Sequence, residues 1–117
     1  LHLEWIRDTC LGFPNVTEDF PFDNTVLVFR IGGKIFALIS IIEPNSINLK
    51  ADPERSGQWR AEFHQVQPGF HMNKKHWNTV YFEGLPEVLI KEMMEHSYQM
   101  VFEQLPLKMR KIIRAIP

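Results

Sequence analysis

Apolar residues recur at Leu3, Ile6, Cys10 and Phe13, the spacing of one helix face, so the chain opens with a predicted helix over residues 1–11. Gly12 and Pro14 end it, the glycine by accepting a left-handed cap and the proline by refusing to continue. The pattern then changes period. "TVLVFRI" and "KIFALISII" are β-branched and aromatic runs on either side of Gly32-Gly33. Two glycines accept the positive φ of a tight turn, so these runs predict a hairpin. Both are apolar at nearly every position, as strands in the middle of a sheet are.

Pro44-Asn45 turns the chain into "SINLK", a third strand of the meander. In "ADPERSGQWRAEF", Asp52 is placed to cap free amides and Pro53 to fill the first helical position, where its missing N–H costs nothing. Trp59, Phe63 and Val66 form the inward stripe of this second helix, and Gln67-Pro68-Gly69 breaks it. "HWNTVYF" alternates and predicts another strand, ended by Gly84. Pro86 starts the longest helix, "PEVLIKEMMEHSYQMVFEQL", with Leu89, Met93, Met100 and Val101 facing inward. Pro106 breaks it. "LKMRKIIRAI" then resumes helical spacing through Met109, Ile112 or Ile113, and Ile116.

Consecutive strands with helices at the ends predict an α+β fold: a single-domain two-layer sandwich over residues 1–117, an antiparallel sheet with helices packed on one face. Composition agrees, since 44% hydrophobic and 23% charged residues in a chain of 117 describe one globular core. The densest apolar run, "IFALISII", is strand-sized, so neither a membrane span nor a signal peptide is expected. Cys10 is the only cysteine, which excludes an internal disulfide or CxxC pair and fits a cytoplasmic protein.

Net charge is −1, which makes the chain no polyelectrolyte, yet the charges are unevenly placed. Residues 1–29 carry Glu4, Asp8, Glu18, Asp19 and Asp23 against Arg7. Residues 104–117 carry Lys108, Arg110, Lys111 and Arg114, and no acid occurs from His64 to Phe82. Such a distribution orients a charged partner even near neutrality.

Enzyme signatures are missing: there is no GxSxG, HExxH, Walker loop or GxGxxG, and Cys10 lies in an acidic stretch that opposes thiolate formation. No enzymatic activity and no cofactor are therefore expected. His64, His71 and His76 match no compact metal motif, and Lys74 and Lys75 between the latter two repel a cation. Glu92 and His96 share a helix face in a geometry that more often hydrogen-bonds than holds zinc. The segment "PGFHMNKKHWNTVYF", residues 68–82, is the most distinctive. It predicts a turn between Pro68-Gly69 and Trp77, with Lys74, Lys75 and His76 at its tip and Trp77 packed into the core. A rigid basic tip suits contact with phosphates.

"PFDNTVLVFRIGGKIFALI", "LKADPE", "PGFHMNKKHWNTVYFEG" and "SYQMVFEQLP", in that order, resemble the MmcQ/YjbR-like family of small bacterial proteins over almost the whole chain. The resemblance implies a fold similar to frataxin (CyaY-like) and a double-wing arrangement for binding DNA. By position it carries over the basic turn His71 to Trp77, and it brings no catalytic residues.

The expected function is non-enzymatic DNA binding, with Lys74, Lys75 and His76 on one wing tip and Lys34, beside Gly32-Gly33, on the other. Arg30 and Lys50 flank them and the basic final helix extends the patch. Binding is expected to be weak, poorly sequence-specific and salt-sensitive, by a monomer that engages no membrane. One alternative is a protein-interaction adaptor using Met93, Met94, Met100 and Met109 as adaptable apolar surface. A further alternative is a frataxin-like metal site on Glu4, Asp8, Glu18 and Asp19.

Overall fold

Gly32 and Gly33, at φ 58° and 80°, form the turn that joins β2 (Val26–Ile31) to β3 (Lys34–Ser40). In the computed structural model, which describes residues 2–69 and 72–115, both strands of this hairpin are interior to the sheet. β1 (Val16–Asp19) pairs outside β2, while β4 (Ser46–Lys50), β6 (Trp77–Tyr81) and β5 (Val66–Pro68) follow β3. The six strands run in the order β1-β2-β3-β4-β6-β5 and every pairing is antiparallel. The fold is therefore the α+β sandwich that the pattern predicts.

α1 (His2–Leu11), α2 (Pro53–Glu62), α3 (Glu87–Glu103) and α4 (Leu107–Arg114) supply the second layer. Their inward residues, among them Ile6, Trp59, Met93 and Ile113, share one buried cluster with Phe29, Ile39, Leu49 and Val80 of the sheet. Burying each large apolar side chain contributes about 1.5–3 kcal/mol. Val28 and Leu38, cross-strand partners on the opposite face, are also buried but stand outside that cluster. The helices thus cover one face of the sheet.

Local chemistry explains the boundaries. The Asp52 carboxylate accepts the Arg55 amide at 3.4 Å, with Pro53 at the first helical position, as its sequence predicts. Ser97 ties α3 to the sheet: its hydroxyl donates to the Phe36 carbonyl and accepts the Lys50 amide at 2.8 Å.

Several expectations need correction. The left-handed residue after α1 is Asn15, at φ 61°, not Gly12. Val66 does not belong to the stripe of α2; it opens β5, where its partner is Val80. β1 is an additional strand, too polar to stand out. Ile113, not Ile112, is the inward residue of α4, and Ile116 lies outside the described residues. The methionines offered as adaptable surface are largely used inside: Met93 and Met94 are fully enclosed, and Met109 packs on the core.

Candidate nucleic-acid interface

Strand direction sorts the connections into two ends. Because Lys50 pairs with Trp77 and Ala37 with Leu49, the β2–β3 turn, the exit of β4 and the β5–β6 connection (69–76) lie at one end of the sheet. They carry Lys34, Lys50, Lys74, Lys75 and His76, and the one carboxylate there, Asp52 just past β4, is spent capping α2. The opposite end holds the connections 20–25, 41–45 and 83–86, with Asp23, Glu43 and Glu83. The fold therefore gathers cations that are remote in sequence and separates them from these acids. β3 and β6 flank β4, so the two basic hairpins stand about 10 Å apart at the usual strand spacing.

The described part of the β5–β6 connection, Gly69 and residues 72–76, is tied down by hydrogen bonds. The Gly69 amide donates to the Trp77 carbonyl at 2.8 Å, and the Asn73 carbonyl accepts the amides of His76 and Trp77. Asn73 Oδ1 accepts the Lys75 amide at 2.9 Å. Arg60 of α2 clamps the loop from below, donating to the Lys74 carbonyl at 2.6 Å and the Trp77 carbonyl at 3.2 Å. Arg60 was invisible as a loop anchor in the sequence, because its partners lie 14 to 18 positions away.

The cations are not equally available. Lys34 and Lys75 are exposed and make no ion pair among the described residues. Lys74 turns its ammonium back onto the Gly69 carbonyl at 3.2 Å. Lys50 reaches Gln104 at 3.1 Å. Arg30, expected to flank the patch, is instead engaged by Asp19 at 2.9 Å and by the Gly33 carbonyl at 3.0 Å. His76, expected as a contact, is half-buried, with Nδ1 enclosed and unpartnered and its carbonyl accepting the Ala51 amide. His71 lies outside the described residues.

α4 joins this end. A Cβ on Gly32 would stand 2.5 Å from Met109 Sδ and 2.9 Å from Leu105, so the β2–β3 turn seats directly on the start of α4. Lys108 and Lys111 are exposed, Arg110 donates to the Leu105 carbonyl at 3.0 Å, and Arg114 lies over the Phe102 ring.

Trp77 departs from the expected core position. Asn78 and Val80 point into the helix layer, so the alternation puts Trp77, Thr79 and Tyr81 on the other face. Trp77 is half-buried there and stands outside the core cluster, while Tyr81 is 44% exposed.

Other candidate chemistry is absorbed by structure. Glu18 pairs with Arg7 and Asp19 with Arg30, which takes two carboxylates from the proposed acidic metal site. Glu92 pairs with Arg55 rather than His96, and His96 Nε2 accepts the Asp52 amide at 3.1 Å. Among the described residues no three His, Cys, Asp or Glu side chains gather as a metal would need. Cys10 is buried, and burial pushes its thiol far above the ordinary range, away from nucleophilic use.

A six-stranded antiparallel sheet with four helices on one face and a cationic rim defines a small α+β sandwich whose distinctive surface lies at its hairpins. The chain belongs to the YjbR family, whose model matches residues 11–100. It is similar to YbdF of Escherichia coli O157:H7, 37% identical over 95% of this chain and 93% of the relative. It is also similar to YjbR of Escherichia coli K12, 30% identical over 89% of this chain and 90% of the relative. A crystal structure from Deinococcus radiodurans, a DUF419 domain, matches with a TM-score of 0.88 at 35% identity, covering 96% of this chain and 87% of its own. One from Pseudomonas syringae matches at 0.68 and 28% identity, covering 83% and 96% respectively. No described helix is long and apolar enough to cross a membrane.

Proposed function

We propose that the protein is a non-enzymatic DNA-binding module, a cytoplasmic monomer without cofactor, that contacts duplex phosphates with the cationic end of its sheet. Lys34 and Lys75 are the two principal contacts, one on each hairpin, and Lys108 and Lys111 of α4 extend them. The observation that carries this reading is the placement of two basic hairpins at one end, with Asp23, Glu43 and Glu83 at the other. A side chain held by backbone pairing loses little freedom on meeting a phosphate, and phosphate contacts fix position without reading sequence. With only a few phosphates neutralised, affinity is low and falls steeply with salt. Gel retardation of a blunt duplex at low salt tests the reading: wild type retards it and Lys34→Glu with Lys75→Glu does not. Equal retardation by both proteins removes this site.

A second reading rests on the other end. Phe20, Phe22, Ile41 and Ile42 are all exposed in connections brought together there, Ile41 donating its amide to the Thr25 carbonyl at 2.8 Å. Exposed apolar side chains gathered this way mark protein contact surfaces. An adaptor would use this patch, not the methionines. Phe22→Ser with Ile42→Ser abolishes partner capture under this reading and leaves DNA retardation intact.

A further inference from the structure

The uncovered face of the sheet is not uniform. Over β1 and β2 it is closed off, because Arg30 and Asp19 pair there beside Val28, which is fully buried. Over β4, β6 and β5 it carries Trp77, Thr79 and Tyr81 in a row, opposite Lys50, Asn48 and Ser46 respectively. Four residues of strand put the two aromatic side chains about 13 Å apart, with the smaller threonine between them.

Polar groups with spare bonding capacity border this row. Thr79 Oγ1 donates to Asn48 Oδ1 at 2.6 Å, which leaves the Asn48 amide hydrogens free to donate. Gln67, paired with Thr79 on the other side, spends its amide nitrogen on the His64 carbonyl and keeps its oxygen as an acceptor. Tyr81 also walls a shallow hollow of about 620 Å³ lined by His64, Gln65, Gln67, Glu83 and Gly84.

We infer that this half of the face is a stacking site for a short single-stranded DNA segment continuous with a duplex held at the cationic end. The inference rests on the phosphate contacts proposed above. Flat nucleobases stack on Trp77 and Tyr81, while Asn48 and Gln67 present a donor and an acceptor to base edges. Charge sets the direction and the length. The backbone enters at the Trp77 end, beside the exposed Lys75, and Glu83 beyond Tyr81 repels further phosphates. The site thus accommodates a few unpaired nucleotides at a duplex end and not a long single strand.

Fluorescence anisotropy with three probes tests this: a blunt duplex, the same duplex with a four-nucleotide DNA tail, and the same duplex with an RNA tail. Tyr81→Ala serves as the variant because this exposed side chain lies outside the core, and Trp77→Phe serves as a second that retains an aromatic ring. The DNA-tailed duplex binds wild type about tenfold more tightly than the blunt one, as stacking of a base on one aromatic ring allows. Tyr81→Ala removes that advantage and leaves blunt affinity unchanged. Tailed binding also quenches tryptophan fluorescence in wild type and not in Trp77→Phe. Equal affinity for blunt and DNA-tailed duplexes, both lost in Lys34→Glu with Lys75→Glu, overturns the stacking site and leaves the phosphate contacts standing. No binding of any probe overturns both. Tighter binding of the RNA tail than the DNA tail overturns the assignment to DNA.

Discussion

Arg60 Nε donates to Asn78 Oδ1 at 2.6 Å, joining the last turn of α2 to the start of β6 beneath the basic loop. Asn78 is buried, and its amide nitrogen donates to the Ser56 hydroxyl at 2.8 Å, so every polar atom of its side chain depends on α2. The same guanidinium holds the carbonyls of Lys74 and Trp77. Replacing Arg60 by alanine leaves a buried acceptor without its partner, at a cost of about 1–3 kcal/mol. Urea denaturation reads that loss, and hydrogen exchange reads faster opening of the amides of residues 73–77. Unchanged exchange there would show that the loop is held by its own backbone bonds alone.

His96 makes stability depend on pH. Its Nε2 accepts the Asp52 amide and its ring meets Trp59 edge-on at 5.3 Å between centroids, an arrangement that only the neutral imidazole satisfies. Burial depresses its pKa, and the nearby Arg55 charge acts in the same direction. Since the unfolded chain then binds the proton more readily, stability is full above the unfolded value of about 6.5. It is lost as pH falls through the window between that value and the lower folded one. Urea midpoints measured at pH 7.5 and 5.5, each about one unit from the unfolded pKa, drop toward acid in wild type. In His96→Gln they drop less, and equal drops in the two proteins would assign the effect elsewhere.

Gly32 and Gly33 are adjacent in one turn, yet they respond differently to an added methyl group. At Gly33 a Cβ meets nothing within 4 Å, so Gly33→Ala costs only the left-handed conformation, about 1–2 kcal/mol. At Gly32 the same penalty is joined by collision with Met109 and Leu105, and overpacking adds about 1–3 kcal/mol. Thermal unfolding therefore ranks Gly32→Ala clearly below Gly33→Ala. The reverse order would mean that α4 does not seat on this turn.

The elements that are easily read in the sequence are those whose signals are local. Gly32-Gly33 between two apolar runs, and Asp52-Pro53 before an amphipathic stretch, specify a hairpin and a helix start from neighbouring residues alone. Most of the sandwich follows from them. β1 and β5 escape because four and three residues with polar positions gain their strand character only by pairing with β2 and β6. The basic end was legible as a set of lysines, but their availability was not. Arg30 is engaged by Asp19 through the β1–β2 pairing, and the exposed Lys74 spends its ammonium on the Gly69 carbonyl of its own loop. Trp77 departs from its expected place for a related reason. Its face is set by the register of β6 against β4, which a single alternating run leaves undecided by one residue.

Those differences in availability give the three lysines separate signatures in DNA binding. Each phosphate neutralised adds about 0.9 to the steepness with which log affinity falls against log salt. Lys34 and Lys75 are exposed, so replacing both by alanine lowers the steepness by about 2 while the melting temperature holds. Lys74 donates to the Gly69 carbonyl, and to meet a phosphate it must first abandon that bond. Lys74→Ala therefore changes the slope by less than one contact's worth, about 0.9, and acts through the order of the loop instead. Anisotropy titrations of a blunt duplex between about 50 and 200 mM salt separate the two cases. A full-contact change of slope for Lys74→Ala would show that its ammonium swings outward when DNA arrives.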